Sequence, residues 1–170
     1  MWEISYTYYG WAIQAEDVLP LGVDENELNA PLDLGFASEV LAVFTSPTHS
    51  NSAVHNFNAG TPWNSFEADI SFDHTDRGSV TCYRLREGIE RFMITDINNP
   101  AASAMAQSEL PVMWDTVWTA SKGEESYFNH IPGGGNVLYM DGHVTFVRYP
   151  GEWPVCRAYV AMMDTVSAAL

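Results

Sequence analysis

Basic residues are scarce in this chain. It has 170 residues, of which 22 are Asp or Glu and seven are Lys or Arg, so its formal net charge is −15. Proteins gain most of their sequence-independent affinity for nucleic acids from cations that displace counterions from phosphates. We therefore expect no nucleic-acid partner. The acidic surplus suits saline surroundings or carboxylates that bind divalent cations, and the sequence leaves both open.

Cysteine is nearly absent. The two cysteines, Cys82 and Cys156, lie 74 residues apart, which fits neither a CxxC redox motif nor a four-ligand zinc site. They form either one disulfide, which requires an oxidising compartment, or two buried thiols.

Long apolar runs are missing as well. No run reaches the ~18–20 residues of a membrane-spanning helix, and Met1-Trp2-Glu3 lacks the basic and then apolar order of a signal peptide. Residues 4–13 (ISYTYYGWAI) instead have the β-branched and aromatic content of a strand. We expect that this chain makes no membrane contact of its own and that an N-terminal portion precedes Met1.

Catalytic motifs are the last absence. The sequence has no G-x-S-x-G elbow, H-E-x-x-H pair, P-loop or Rossmann fingerprint. We therefore expect a protein that is not an enzyme, with a metal-dependent hydrolase as the catalytic alternative.

The residues that are present predict one globular domain over 1–170, because 46% are apolar and 13% aromatic. Apolar spacing and turn residues divide the domain into short elements. They are a solvated acidic loop with a short helix (16–33), a helix (36–44), a polar loop (48–78), strands (80–83, 91–95 and 110–114), a helix after Asn99-Pro100, and a terminal helix (153–170).

Two charged groups have alternative interpretations. His74, between Asp73 and Asp76, either joins a metal site or belongs to a solvated polar cluster. Three arginines either pair with local carboxylates such as Glu87 and Glu90 or form a docking patch for a partner; they are Arg84, Arg86 and Arg91.

The clearest local pattern is a C-terminal β-hairpin. Asp141-Gly142 separates two β-rich runs, 136–140 and 143–149, and favours a two-residue type I′ turn. That turn pairs Tyr139 with Val144 and Val137 with Phe146, so these four side chains would share the core face. Just upstream, Gly133, Gly134 and Gly135 allow the backbone to pass close to other groups.

These residues resemble the signature of the prepilin-type processing-associated (H-X9-DG) domain of bacterial pilin-like and pseudopilin-like proteins, notably of planctomycete type. The resemblance rests on His130, the glycine run, NVLYM at 136–140 and DGHV at 141–144, with ten residues between His130 and Asp141. The stretch 83–115 is also similar, so 80–150 carries the family-like part. The resemblance implies an antiparallel-sheet head behind an N-terminal helix that would lie upstream of Met1.

The resemblance also implies roles for the motif residues. Related pseudopilin heads hold a calcium ion near the C-terminal sheet, and Asp115, Asp141 and the glycine-run carbonyls are oxygen ligands of the right type. His130 suits a transition metal better. The alternative is structural, with His130 bonded to a carboxylate or carbonyl that holds the loop and Asp141 serving as a turn residue.

We therefore expect an α+β fold, an antiparallel sheet with the Asp-Gly hairpin and a few short helices. The implied function is that of an extracytoplasmic head of a type II secretion or type IV pilus-like assembly, with other pilin-like subunits as partners. The alternative is a surface module that binds glycans or other ligands, since the chain has six Trp and eight Tyr. Trp114, Trp118 and Trp153 flank expected strands, which favours core positions for them instead.

Overall fold

A computed structural model describes residues 6–45, 69–86, 89, 107–118, 127–128, 130 and 133–169. The helices are α1 (Ala15–Val18), α2 (Leu34–Thr45) and α3 (Arg157–Ala169), with a 3₁₀ turn at Gln107–Glu109. The strands are β1 (Tyr6–Thr7), β2 (Ile70–His74), β3 (Gly78–Cys82), β4 (Pro111–Asp115), β5 (Val117–Trp118), β6 (Tyr127–Phe128), β7 (Gly134–Tyr139) and β8 (Val144–Arg148). Antiparallel sheets with a few short helices confirm the α+β expectation.

The main sheet has four strands in the order β1-β4-β7-β8, all antiparallel. Its inner face packs on α3 around Tyr159, which is fully buried. The Tyr159 ring meets Trp114 of β4 edge-on at 5.5 Å and Trp153 at 5.8 Å between centroids. This aromatic cluster is the centre of the core.

A smaller unit joins α2 to the β2–β3 hairpin. Phe36 and Phe72 meet edge-on at 5.6 Å, and both are buried. The prediction of a helix over 36–44 is confirmed, whereas the prediction of a polar loop over 48–78 is wrong from Ile70 onward. The alternation of buried Ile70, Phe72 and His74 with exposed neighbours makes that stretch a strand. Residues 46–68 lie outside the described part.

The acidic segment 16–33 is only partly solvated, which corrects the sequence-based expectation. It contains α1 as expected, but Asp17 and Asp33 are buried. Arg77 pairs with Asp17 at 3.1 Å. Burial raises the pKa of Asp17, and the Arg77 charge offsets that effect only in part.

The C-terminal hairpin forms, but with a register one residue away from the predicted one. Val137 pairs with Thr145 and Leu138 with Val144. Tyr139 N–H donates to the His143 carbonyl at 3.0 Å, so the loop has three residues, 140–142. A type I′ turn would need a positive φ at Asp141, whereas in this loop Gly142 has the positive φ of 91° and Asp141 does not.

The shifted register turns the predicted core face of β8 outward. Val137 and Tyr139 are buried as expected, whereas Val144 is 60% and Phe146 49% exposed. A one-residue shift exchanges the two faces of a strand, which explains why half of the predicted set is in the core and half is not.

The remaining elements differ little from expectation. The strand at 110–114 is confirmed as β4, the strand predicted at 80–83 overlaps β3 and ends one residue earlier than expected, and the terminal helix begins at Arg157. The N-terminal strand ends at Thr7 rather than at residue 13, and Gly10, with φ 82°, turns the chain further along. Both cysteines are buried free thiols. The expected strand at 91–95 and the helix after Pro100 lie outside the described residues.

Candidate functional site

His130, Asp115 and Asn136 form one hydrogen-bonded cluster, called here the His130 lock. Asp115 is 2% exposed, and its Oδ2 lies 2.8 Å from His130 Nε2. The same oxygen accepts the backbone N–H of Asn136 at 2.6 Å and its Nδ2 at 2.9 Å. One carboxylate oxygen therefore ties the loop before β7 to the end of β4.

The pairing of β4 with β7 brings Asp115 and Asn136 of the His130 lock together. Met113 pairs with Leu138 and Trp114 with Val137, so the next residues along, Asp115 and Asn136, are neighbours. His130 reaches them from a tight turn in which Gly133 N–H donates to the His130 carbonyl at 2.8 Å. The cluster thus joins the end of β4 to β7 and to the turn that precedes β7.

Other groups approach the backbone so closely at two residues of the glycine run that a side chain there would clash or crowd them. A Cβ on Gly134 would lie 2.5 Å from the Val147 carbonyl oxygen, and one on Gly135 would lie 3.2 Å from the Asp115 Cβ. Gly133 has φ 117°, which L side chains rarely adopt. These glycines let β7 run against β8 and the lock, which is the close passage expected from the sequence.

The three proposed metal ligands do not meet. Asp115 and His130 are together, but Asp141 lies at the hairpin tip, beyond the far end of β7, and is bonded there to His143. No three His, Cys, Asp or Glu side chains converge as a metal site within the described residues. The structural alternative accounts for each contact: His130 holds the loop through a carboxylate, and Asp141 stabilises the turn.

Asp141 has its own local partner. Its Oδ1 accepts the His143 backbone N–H at 3.0 Å and also bonds the His143 ring. These hydrogen bonds lower the pKa of Asp141. The His143 ring stacks on Tyr139 at 4.4 Å between centroids, with only 4° between the planes. The hairpin tip is thus fixed by its own side chains.

His74 is a structural histidine in a buried cluster. Its Nδ1 accepts the Asp76 N–H at 3.1 Å, and its Nε2 donates to the Leu19 carbonyl at 3.0 Å. Asp33, whose Oδ2 lies 3.7 Å from His74 Nδ1, caps α2 by accepting the Phe36 N–H at 3.0 Å. Asp33 was not predicted as a cap from the sequence, although an Asp directly before a helix is a typical one.

The described arginines are engaged with the chain itself. Arg84 Nη1 donates to the Gly10 carbonyl at 2.6 Å, and Arg86 lies 3.7 Å from Asp69. Pairing with a nearby carboxylate therefore holds for Arg86, with Asp69 as the acid, whereas the Arg84 guanidinium bonds backbone carbonyls and the Tyr8 hydroxyl. Glu87, Glu90 and Arg91 lie outside the described residues.

The outer face of the main sheet carries a continuous apolar row. Met113, Leu138 and Val144 are paired in register across β4, β7 and β8, and the β1–β4 register places Tyr8 beside Met113. Leu138 is half-buried and the other three are exposed. Tyr6, the His130 lock and Phe146 form the next row on the same face. This apolar row was not foreseen because the predicted register placed Val144 inside.

An open cavity of about 440 Å³ lies beside Tyr139, at the end of β7. Its lining combines two aromatic side chains with four glutamates and an amide: Tyr139, Trp153, Glu16, Glu25, Glu109, Glu152 and Gln14. Burial raises the pKa of Glu25, and the nearby charges of Asp24 and Glu152 add to that rise. The cavity is large enough for a small organic ligand.

Neither a family model, nor a curated protein, nor a solved structure matches this chain. None of the helices in the described part has the length and apolar character needed to span a bilayer.

Proposed function

We propose that this chain is the extracytoplasmic head of a pilin-like or pseudopilin-like subunit and that it works by assembly with other subunits, without catalysis. The observation that carries the proposal is the apolar row on the outer sheet face. A row of apolar side chains that crosses the sheet, three of them exposed and one half-buried, favours burial against another protein.

The contacts of the motif residues support a structural role. His130, the glycine run and Asn136 hold the loop against β4, while Asp141 and Gly142 form the hairpin loop. Each of these residues is used to shape the sheet and its outer face. A head that displays a rigid surface requires this kind of support more than it requires a reactive group.

Substitutions on the outer face test the proposal. Met113→Asp and Val144→Asp each place a charge in the apolar row and, because both side chains are exposed, leave the core intact. Leu28→Asp is the matched control, since Leu28 is also exposed but lies in the loop between α1 and α2. The variants are introduced into the gene at its native locus, and the amount of the protein in sheared surface appendages is compared with wild type.

We expect the two outer-face variants to be lost from the appendage fraction and Leu28→Asp to be retained. Normal incorporation of all three would contradict the proposal. Reading the locus upstream of the Met1 codon supplies an independent check, because the family resemblance implies ~20 apolar residues after a short basic leader there. An in-frame stop immediately upstream would exclude the filament role.

The cavity supports a second candidate, a ligand-binding surface module. Aromatic rings with carboxylates and an amide are groups that recognise sugars and other polar ligands. However, Trp11, Trp114 and Trp153 are buried, and of these only Trp153 lines the cavity; the side chain of Trp118 lies outside the described part. Glycan-array binding that is lost in Glu109→Ala and Glu152→Ala would favour this candidate; no binding above background would count against it.

A further inference from the structure

We propose that a second copy of this chain pairs with the outer edge of β8, joining two main sheets across a two-fold axis at Thr145. Among the residues that the structure describes, β8 is the terminal strand in the order β1-β4-β7-β8. A terminal strand presents unpaired backbone groups on one side and is a template for another strand. This proposal does not depend on the pilin-like role.

The hydrogen-bond pattern identifies the residues that face outward. The bonds from Tyr139 N–H to the His143 carbonyl and from Tyr149 N–H to the Gly133 carbonyl show that odd-numbered residues of this segment point toward β7. In an antiparallel ladder the alternate residues direct their N–H and C=O groups the other way. The outward groups at the centre of the edge are therefore those of Val144 and Phe146, and both side chains are exposed.

The charge pattern favours a second copy as the occupant. The stretch 143–151 contains no carboxylate, although the chain has 22. Asp141 precedes this stretch and Arg148 lies near its end. Antiparallel pairing about Thr145 places Arg148 opposite Gly142 of the other copy, next to that copy's Asp141. The edge is thus complementary to itself, whereas most other surfaces of two such acidic chains repel each other.

The same alignment matches the apolar side chains. Val144 lies opposite Phe146 of the other copy, and both are on the outer face, so the apolar row continues into the second sheet. The pairing uses four hydrogen bonds from the outward groups of Val144 and Phe146. A closed two-fold interface of this kind gives a dimer and does not propagate into a fibre.

Single cysteines at three positions test the axis directly. At the axis, two copies of Thr145→Cys would form a non-hydrogen-bonded pair with Cα atoms ~4.5 Å apart, within disulfide range. In Val144→Cys the Cα atoms of the two cysteines would lie ~8 Å apart, as the rise and spacing of β-strands require. That separation is too large for a disulfide. Phe146→Cys would link fastest if the two-fold axis lay at residue 146 instead of residue 145. Cys82 and Cys156 are buried and do not compete.

The variants are oxidised with diamide in ~0.3 M salt, which screens the net charge of the two chains. Non-reducing gels then give the rate of dimer formation, and circular dichroism verifies folding. We expect Thr145→Cys to link at least tenfold faster than either other variant, and wild-type mass by analytical ultracentrifugation to rise toward two chains with concentration. A wild type that stays monomeric up to ~0.5 mM overturns the proposal. Faster linking through position 144 or 146 than through 145 overturns the proposed axis.

Discussion

Asn136 donates two hydrogen bonds to a single oxygen of Asp115, one from its backbone N–H at 2.6 Å and one from Nδ2 at 2.9 Å. Because that oxygen is buried and also bonded to His130, it is the point where β4, β7 and the preceding loop are joined. A buried carboxylate that satisfies several donors is worth more to stability than any one of its bonds.

Removal of this carboxylate should therefore destabilise the fold. Asp115→Ala leaves the donors of Asn136 without a buried acceptor, and we expect a loss of ~1–3 kcal/mol in the free energy of unfolding measured in urea. His130→Ala is the control, because the half-exposed imidazole can be replaced by water and should cost less than ~1 kcal/mol. Equal losses in the two variants would show that Asp115 does not organise the lock.

Asp33 should make stability depend on pH. Burial acts to raise its pKa, but hydrogen bonds from Thr75 and Phe36 outweigh that effect, so the pKa of Asp33 is lowered. A carboxyl whose pKa is lower in the folded state adds stability above its unfolded pKa, near 4, and loses it as the pH falls through the folded value. We expect Asp33→Asn to be less stable than wild type at pH 7 and the difference to shrink below about pH 4. A difference that stays constant from pH 7 to pH 3 would be inconsistent with this role.

Gly142 should be replaceable only by residues that tolerate a positive φ. A Cβ there would meet nothing within 4 Å, so the cost of Gly142→Val comes from the backbone alone, at ~1–2 kcal/mol. Gly142→Asn should cost less, because Asn adopts this conformation more readily. Thermal unfolding of both variants measures the difference. An unchanged midpoint for Gly142→Val would be evidence against the three-residue loop.

The cysteines should behave as two inert thiols. Burial raises the pKa of Cys156 to about 12 and that of Cys82 well above its ordinary value, so neither forms thiolate readily at pH 8. We expect Ellman's reagent to titrate two thiols per chain in urea, and to react at least about a hundredfold more slowly with the folded protein. Absence of thiols in urea without reductant would indicate a disulfide instead.

The elements with strong local patterns were predictable from the sequence, and their alignment was not. α3 and β4 carry clear apolar spacing and appear close to the expected bounds. In the segment YMDGH the Asp-Gly pair favours a two-residue loop, but a three-residue loop with Gly142 at positive φ is also compatible with it, and the chain forms the second.

The site was foreseen in part for a similar reason. His130 and a carboxylate were expected to hold the loop, but the partner became identifiable only once β4 and β7 were aligned. Asp33 was assigned to a solvated loop because its second donor, Thr75, lies 42 residues away. When the burial of a carboxylate depends on hydrogen-bond donors that are distant in sequence, the local sequence pattern does not predict it.

The three-residue loop at 140–142 determines which side chains of β8 share the outer sheet face with Met113 and Leu138. In the same sequence, a two-residue loop at 141–142 would pair Val137 with Phe146 and place Thr145 and Val147 on the outer face in place of Val144 and Phe146. The apolar character of the outer face at β8 therefore depends on the length of a turn as well as on the side chains of the strand. A substitution within 140–142 that favours a two-residue turn would change which side chains of β8 are offered to a second copy, with no change in the strand itself.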